Sequence, residues 1–297
     1  MCLSKPSPPI SRRRFHRKEL IVRNTWAVCK REFYEYFSTP VGYIVIGTYA
    51  GIVGLAFAAS FILYADVTKA PGTYGFTEIP NFEETLLSPM LIFMGQVMMF
   101  LGPLITMRLL AEERNRGTME LLLTHPLRDR EIIFGKYLAG LCMLGVMMLV
   151  VTAHVGTILY FTDVEPAVLG LGLLALFLMG AAFISMGLFV STMTSNQITA
   201  ATVTFGVWFI SYILGSSSEQ LPETYALSAT WPEALQKAVA FGYELLRNFM
   251  MELPIDAHAK IMAQGVVQLK DIVYYLLFIA FFLFLSFRAF ESRRWRA

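Results

Sequence analysis

Between residues 166 and 218 the chain runs for 53 residues without one Asp, Glu, Lys or Arg. A single membrane-crossing helix needs about 20 predominantly apolar residues. The run therefore predicts two spanning helices joined by a turn, placed at 191–197, where Ser, Thr, Asn and Gln cluster. Charge is also missing from 36–65, 85–107 and 137–162. A last run, 272–287, reaches a full span when Arg288 snorkels and residues 289–290 are counted. Six spans result, near 41–64, 86–110, 132–161, 167–192, 198–217 and 271–290. Backbone polar groups in hydrocarbon must be satisfied within each segment, so the spans are helices. Only 15% of the residues are charged and 56% are hydrophobic, against about 25% charged in an ordinary soluble domain. The expected fold is all-α and polytopic. Soluble enzymes, secreted disulfide scaffolds and free nucleic-acid binders are excluded.

Six spans put both termini on one side, together with the 108–136 loop and the 193–197 turn. That side carries 19 of the 24 Lys and Arg residues and the other carries five: Lys69, Lys237, Arg247, Lys260 and Lys270. Positive charge is retained in the cytoplasm, so both termini are expected there. The opposite side holds 13 of the 22 acidic residues.

No apolar core follows the basic cluster at 12–18 until Val41, so the N-terminus does not read as a cleavable signal. Residues 1–19, with three prolines, are expected to be a disordered basic tail. In 20–38, Trp26, Phe33, Tyr34 and Phe37 recur among Arg23, Lys30, Arg31 and Glu35. This pattern reads as an amphipathic helix at the membrane surface, with Trp26, Arg31 and Phe33 as interfacial contacts. A helix packed on a neighbouring element is the other reading. Cys2, Cys29 and Cys142 have no metal-ligand spacing and read as free thiols. No metal site is expected.

Enzymatic motifs are absent. The chain has no G-x-x-x-x-G-K-[ST], no H-E-x-x-H and no G-x-S-x-G, so nothing on it binds ATP through a P-loop or marks a hydrolase. His154 is the one histidine inside a predicted span. An intramembrane ionisable group is a functional candidate; a neutral ring bonded within the bundle is the simpler reading.

The loop between the second and third spans carries the most information. It contains Glu112, Glu113, Arg114, Asn115, Arg116, Gly117, Thr118, Met119, Glu120, Leu121, Leu122, Leu123, Thr124, His125 and Pro126. Gly117 breaks the preceding helix and Thr118 can cap a new one. Glu120 suits its first turn, and Pro126 ends it. The expected product is a short helix over 117–124 bearing a leucine cluster. A connection this short has no core in which to bury Leu121, Leu122 and Leu123, so they need the membrane surface or a partner protein.

The run E-E-R-x-x-G-T-M-E-L-L-L-T-x-P, followed by Ile132, Ile133, Phe134, Gly135, Lys136, Tyr137 and Leu138, resembles permeases of the ABC-2 type. The carboxyl end, through residues 265–275, 281–286 and 291–295, is similar to the branch associated with gliding-motility ABC systems. The resemblance spans residues 29–295. It implies an inner-membrane permease subunit that moves an unidentified substrate, in the direction of export. It also implies a second permease subunit and separate ATPase subunits that hold the ATP and magnesium; no cofactor is expected on this chain. The short helix would then be a coupling helix seated in the ATPase, with Glu112, Glu113, Arg116, Gly117, Thr118, Glu120, Leu121, Leu122 and Leu123 at that contact. Residues 20–38 would be a connecting helix, 39–292 the transmembrane domain and 293–297 a cytoplasmic tail. The substrate-binding residues are unknown from sequence.

Outside, 218–270 is long for a connector. Apolar residues at helical spacing predict an amphipathic helix over 232–251. The resemblance implies an external gate, and a surface lid is the alternative. Two other classes of function stay open on sequence: a membrane anchor or mechanotransducing subunit that moves no cargo, and an intramembrane enzyme built on His154 with Asp163 or a serine.

Overall fold

A computed structural model gives the structure for residues 10–75, 81–115, 117, 128–161, 165–223 and 231–294; no side chain is described for residues 10–20, 84, 219, 293 and 294. The α-helices in chain order are α1 (Ile10–Ser38), α2 (Pro40–Lys69), α3 (Ser88–Thr106), α4 (Ala111–Asn115) and α5 (Asp129–Phe161). They continue as α6 (Pro166–Met193), α7 (Gln197–Glu219), α8 (Glu233–Glu252), α9 (Ile255–Ala263) and α10 (Leu269–Arg294). A 3-10 turn, Pro71–Tyr74, and a π turn, Glu83–Leu87, flank the gap before α3. No strand occurs among the described residues. Six helical stretches are long and apolar enough to cross a membrane: α2, Thr85–Asn115 (with α3 and α4), α5, α6, α7 and α10.

Local chemistry explains the boundaries. Pro40 and Pro166 open α2 and α6, where a missing N–H leaves no hydrogen bond unmade. The Asn196 side chain accepts from the Ile198 N–H at 2.9 Å and caps α7, so the turn between α6 and α7 falls at 194–196. In α3, Pro89 lies in the first turn and Pro103 in the last, and the helix ends at Thr106.

The centre of the bundle is α6, which buries residues along its length from Val168 to Thr192 and packs on α3, α5, α7, α9 and α10, while Leu174 and Phe177 stay exposed. Contact with α3 depends on Gly187, where a Cβ would stand 2.6 Å from Thr106 Cβ. The outer helices α2, α7 and α10 turn most of their apolar side chains outward, among them Leu55, Ile210 and Leu277. That pattern suits lipid, which imposes no penalty on exposed hydrocarbon.

One expectation is corrected. Helix α1 starts at Ile10, so residues 10–19 are helical rather than a disordered tail. The prolines stop at residue 9, and the following Arg, Lys, Glu and Leu favour helix. The 218–270 segment holds α8, close to the helix expected over 232–251, and a further helix, α9. After α8 the chain turns inward, and α9 buries Ile255, Ala259, Met262 and Ala263 against α3 and α6. The Ser88 hydroxyl donates to the Ala263 carbonyl at 2.8 Å and fixes the end of that insertion.

Candidate functional site

One turn of helix, α4, lies at the root of the motif-bearing loop. A helix of this length has no stability of its own, and most of the ties that hold it come from other parts of the chain. Its first backbone N–H groups lack intrahelical acceptors. Ser191 of α6 supplies one: the Leu110 and Ala111 N–H groups donate to its Oγ at 3.1 and 3.0 Å. Arg108, just upstream, donates through Nε and Nη2 to both Glu112 oxygens, at 2.6 and 3.2 Å. Its third nitrogen donates to Thr39 Oγ1 at 2.5 Å, which ties in the junction of α1 and α2. Arg114 donates to the Thr194 carbonyl at 3.1 Å, beside the C-terminus of α6.

Glu113 faces a second group of charges. Lys136 of α5 is fully buried, with Nζ 2.9 Å from Glu32 and 3.1 Å from Glu113. Arg31 reaches the same two carboxylates, at 2.6 and 2.5 Å. Two cations and two anions thus join α1, α4 and α5. Desolvation offsets much of the attraction in such a group; the firm consequence is a steep penalty for removing one member. Gly135 makes the approach possible. A Cβ there would stand 2.7 Å from Val28 Cβ and 2.9 Å from the Thr25 carbonyl oxygen. Asn24 adds a hydrogen bond to Glu131 at 3.0 Å, and the Tyr36 hydroxyl donates to the Ile105 carbonyl at 2.9 Å.

The electrostatics follow from burial and neighbours. Burial works against the Arg31 charge, yet the hydrogen bond it donates to Glu32 and the charges of Glu32, Glu113 and Glu35 hold this guanidinium above its ordinary value. The Glu35 carboxyl is raised, first by burial and then by the Glu32 charge; Arg31, 3.8 Å away, offsets only part of this. The Cys29 thiol is pushed up to about 12 by burial and by Cys142, whose sulfur is 3.9 Å away. A thiol held in that form is a poor nucleophile.

The sequence-predicted residues divide into three groups. Arg116, Thr118, Glu120, Leu121, Leu122 and Leu123 lie outside the described residues, as does most of the expected helix over 117–124. Gly117 is described, and its φ of +69° is the left-handed conformation that glycine adopts without strain. Glu112 and Glu113 point into the protein, the first to Arg108 and the second to Lys136 and Arg31, so neither is a solvated rim charge. On α1, Trp26 is 60% exposed, Arg31 belongs to the charge group and the Phe33 ring lies 5.1 Å from Phe37. The inner face of α1, through Val28, Cys29 and Tyr36, packs on the bundle, while Val22, Trp26 and Tyr34 stay outside. His154 bonds its own helix, Nδ1 lying 2.7 Å from the Val150 carbonyl, and sets its ring edge-on to Phe57.

Sequence reasoning missed Glu32, Arg108, Lys136 and Ser191. Lys136 had a signal: it is a lone cation just inside an otherwise apolar span. Arg108 had one too, since Glu112 follows it at helical i,i+4 spacing; Ser191 and the Glu32–Lys136 contact had none, because their partners lie 80 or more residues away.

Comparison with known proteins places this geometry in context. The model of a family described as ABC-2 family transporter protein matches residues 43–295. The probable ABC transporter permease protein NosY of Pseudomonas aeruginosa is 30% identical over 156 residues, which make up 49% of this chain and 54% of that protein. The chain therefore matches about half the length of this curated relative.

Proposed function

The chain belongs to the ABC-2 transporter family, a multi-pass inner-membrane protein, and from that premise we propose that it is the permease subunit of an ABC transporter. It works beside a second permease subunit and exports its cargo with energy from separate ATPase subunits that hold ATP and magnesium. Both termini, α1 and α4 face the cytoplasm, in line with the excess of Lys and Arg on that side. The carboxyl-terminal motif adds the gliding-associated branch to this reading.

The observation that carries the proposal is the way α4 is held. Four parts of the chain fasten one helical turn: α1, the α1–α2 junction, α5 and the end of α6. The loop that follows it carries the leucine cluster, which docks on the ATPase as a coupling helix over 117–124. A push on that helix reaches α4 through Gly117. From α4 it passes to α1 and α5 through Glu113 and to α6 through Ser191. Glu112 and Glu113 act inside the lever by keeping it stiff. The exposed Val22, Trp26 and Tyr34 face of α1 lies on the lipid headgroups.

The test is Leu122→Asp, studied as the full chain with its ATPase in reconstituted membranes. A charge placed in an apolar contact is strongly unfavourable. The variant is expected to insert normally and to lose ATPase co-purification or transport-linked ATP hydrolysis. Unchanged values for both would remove the coupling role and favour an anchor without transport.

A further inference from the structure

Helix α7 starts beside Thr194, the partner of Arg114, and crosses the bundle, so α8 lies at the end opposite α4. Helix α8 buries no residue of its own, yet its sides differ. At 3.6 residues per turn its side chains fall on three flanks. Val239, Tyr243, Arg247 and Met250 are half-buried and mark the flank turned to the protein, where α8 packs on α7. There the Tyr243 hydroxyl donates to the Pro222 carbonyl at 2.7 Å. A second flank is apolar and open: Phe241, Leu245 and Phe249 are 69, 63 and 61% exposed, and Leu235 and Leu246 stand beside them. A third flank, with Glu233, Lys237, Glu244 and Asn248, is polar and equally open.

The roll of the helix is fixed, so the apolar flank is held outward. Lys270 pairs with Glu252 at 3.1 Å, and the Tyr274 hydroxyl donates to the Leu253 carbonyl at 2.8 Å. His258 Nε2 lies 3.0 Å from the Glu252 carbonyl, and its Nδ1 lies 2.7 Å from the buried Asp271. An apolar flank of this size marks a contact with membrane or partner. Its chemistry favours lipid. The five side chains carry no hydrogen-bonding group, whereas protein interfaces form about one hydrogen bond per 100–200 Å². Helix α7, on which α8 packs, likewise turns Val207, Ile210 and Ile213 outward. The charged flank begins where the apolar one ends, as at a boundary between hydrocarbon and water. Trp231, half exposed just before the helix, suits the same boundary. Lys237 and Arg247 nearly balance Glu233, Glu244 and Glu252, so apolar contact rather than headgroup charge holds the helix.

We infer that α8 is a membrane-surface helix, seated between headgroups and acyl chains in the leaflet opposite α1 and α4. Lipid is the partner of Phe241, Leu245 and Phe249, and water is the partner of Lys237 and Glu244. One flank thus rests on protein, one on lipid and one in water. Lipid supplies the burial that the protein does not, which explains how a 20-residue helix with no buried residue keeps one orientation. The inference rests on the membrane class of the chain and not on ATPase coupling.

The experiment uses the full chain in nanodiscs of phosphatidylcholine and phosphatidylglycerol, with Cys2, Cys29 and Cys142 replaced by serine. Spin labels are placed singly at Leu245→Cys and Phe249→Cys on the apolar flank, and at Lys237→Cys and Glu244→Cys on the charged one. All four positions are exposed, so labelling leaves the packed flank intact. Leu277→Cys on α10, also exposed, is the reference for a lipid-facing site. Power saturation then compares collisions with oxygen, which concentrates in hydrocarbon, and with a water-soluble nickel chelate. Leu245 and Phe249 should resemble Leu277, and the oxygen-to-nickel ratio should fall by about tenfold at Lys237 and Glu244, since an interfacial helix buries only its apolar face, ~5–10 Å deep. Nickel prevailing on both flanks would overturn the proposal by placing α8 clear of the bilayer. Low collision rates for both reagents at Leu245 and Phe249 would also overturn it, by showing that a protein surface, such as a second copy of the chain, covers them.

Discussion

The two ends of the bundle are tied in opposite ways. Around α4 the strongest ties are buried ion pairs, some between residues far apart in sequence, such as Arg31 with Glu113, 82 positions away. Around α9 most ties are hydrogen bonds from aromatic or hydroxyl groups to backbone carbonyls at short range. Tyr275 donates to Ile255, 20 positions away, and Tyr274 donates to Leu253, 21 away. A backbone carbonyl keeps its place whatever side chain its residue carries, so loss of one donor leaves the local chain intact. A buried charge has no such reserve, because removal of a partner leaves it unpaired in a poor solvent. The α4 end is therefore stiff and intolerant, and the α9 end is adaptable apart from its one buried pair.

The largest expected effect is at Lys136. Lys136→Met keeps most of the volume but leaves Glu32 and Glu113 with Arg31 alone, and should cost about 3–5 kcal/mol of unfolding free energy. Denaturant titration in micelles measures this, and adding Glu113→Gln should recover a large part. A cost under about 1 kcal/mol would erase the contrast between the two ends.

Ser191→Ala sharpens the comparison, because it removes a neutral tie from the charged end. The Leu110 and Ala111 N–H groups lose their acceptor, as at a helix whose cap is deleted, at an expected cost of about 1.5 kcal/mol in the same assay. At the opposite end, Tyr275→Phe leaves the Ile255 carbonyl without its donor and should cost about 1 kcal/mol. Equal losses for these two, both well below that of Lys136→Met, would assign the difference to charge rather than to location.

The smallest effect belongs to Glu35. Its carboxyl is raised by burial and by Glu32, so the fold favours the protonated form more than the unfolded chain does. The stabilisation this gives is complete below the ordinary carboxylate range and is lost as pH rises through the raised value. Glu35→Gln has no such proton to lose. Wild type should therefore lose stability relative to the variant across that mildly acidic window and run parallel to it at higher pH. A difference independent of pH from 4 to 8 would show that the Glu35 carboxyl titrates as if in water.

The membrane class and the six helices were legible in the residues alone, since a 53-residue stretch without charge has few alternatives in any solvent. The loop motif likewise marked the family before any contact was known. The role of its acids was not legible. Glu112 and Glu113 stand beside Arg114 in the chain like solvated neighbours, yet folding turns one toward Arg108 and the other toward Lys136.

Sequence by itself determined which segments cross the membrane and where helices start and stop, because hydropathy, proline and capping act over a few residues. Only the tertiary structure decided that Gly135 lets α1 close on α5, that Ser191 caps a helix 80 residues upstream and that α9 enters the bundle. It also set His258 between Asp271 and the Glu252 carbonyl. Each of these depends on how helices meet in space. Helices distant in the chain come together through the summed packing of many side chains, and no short run of residues encodes that sum.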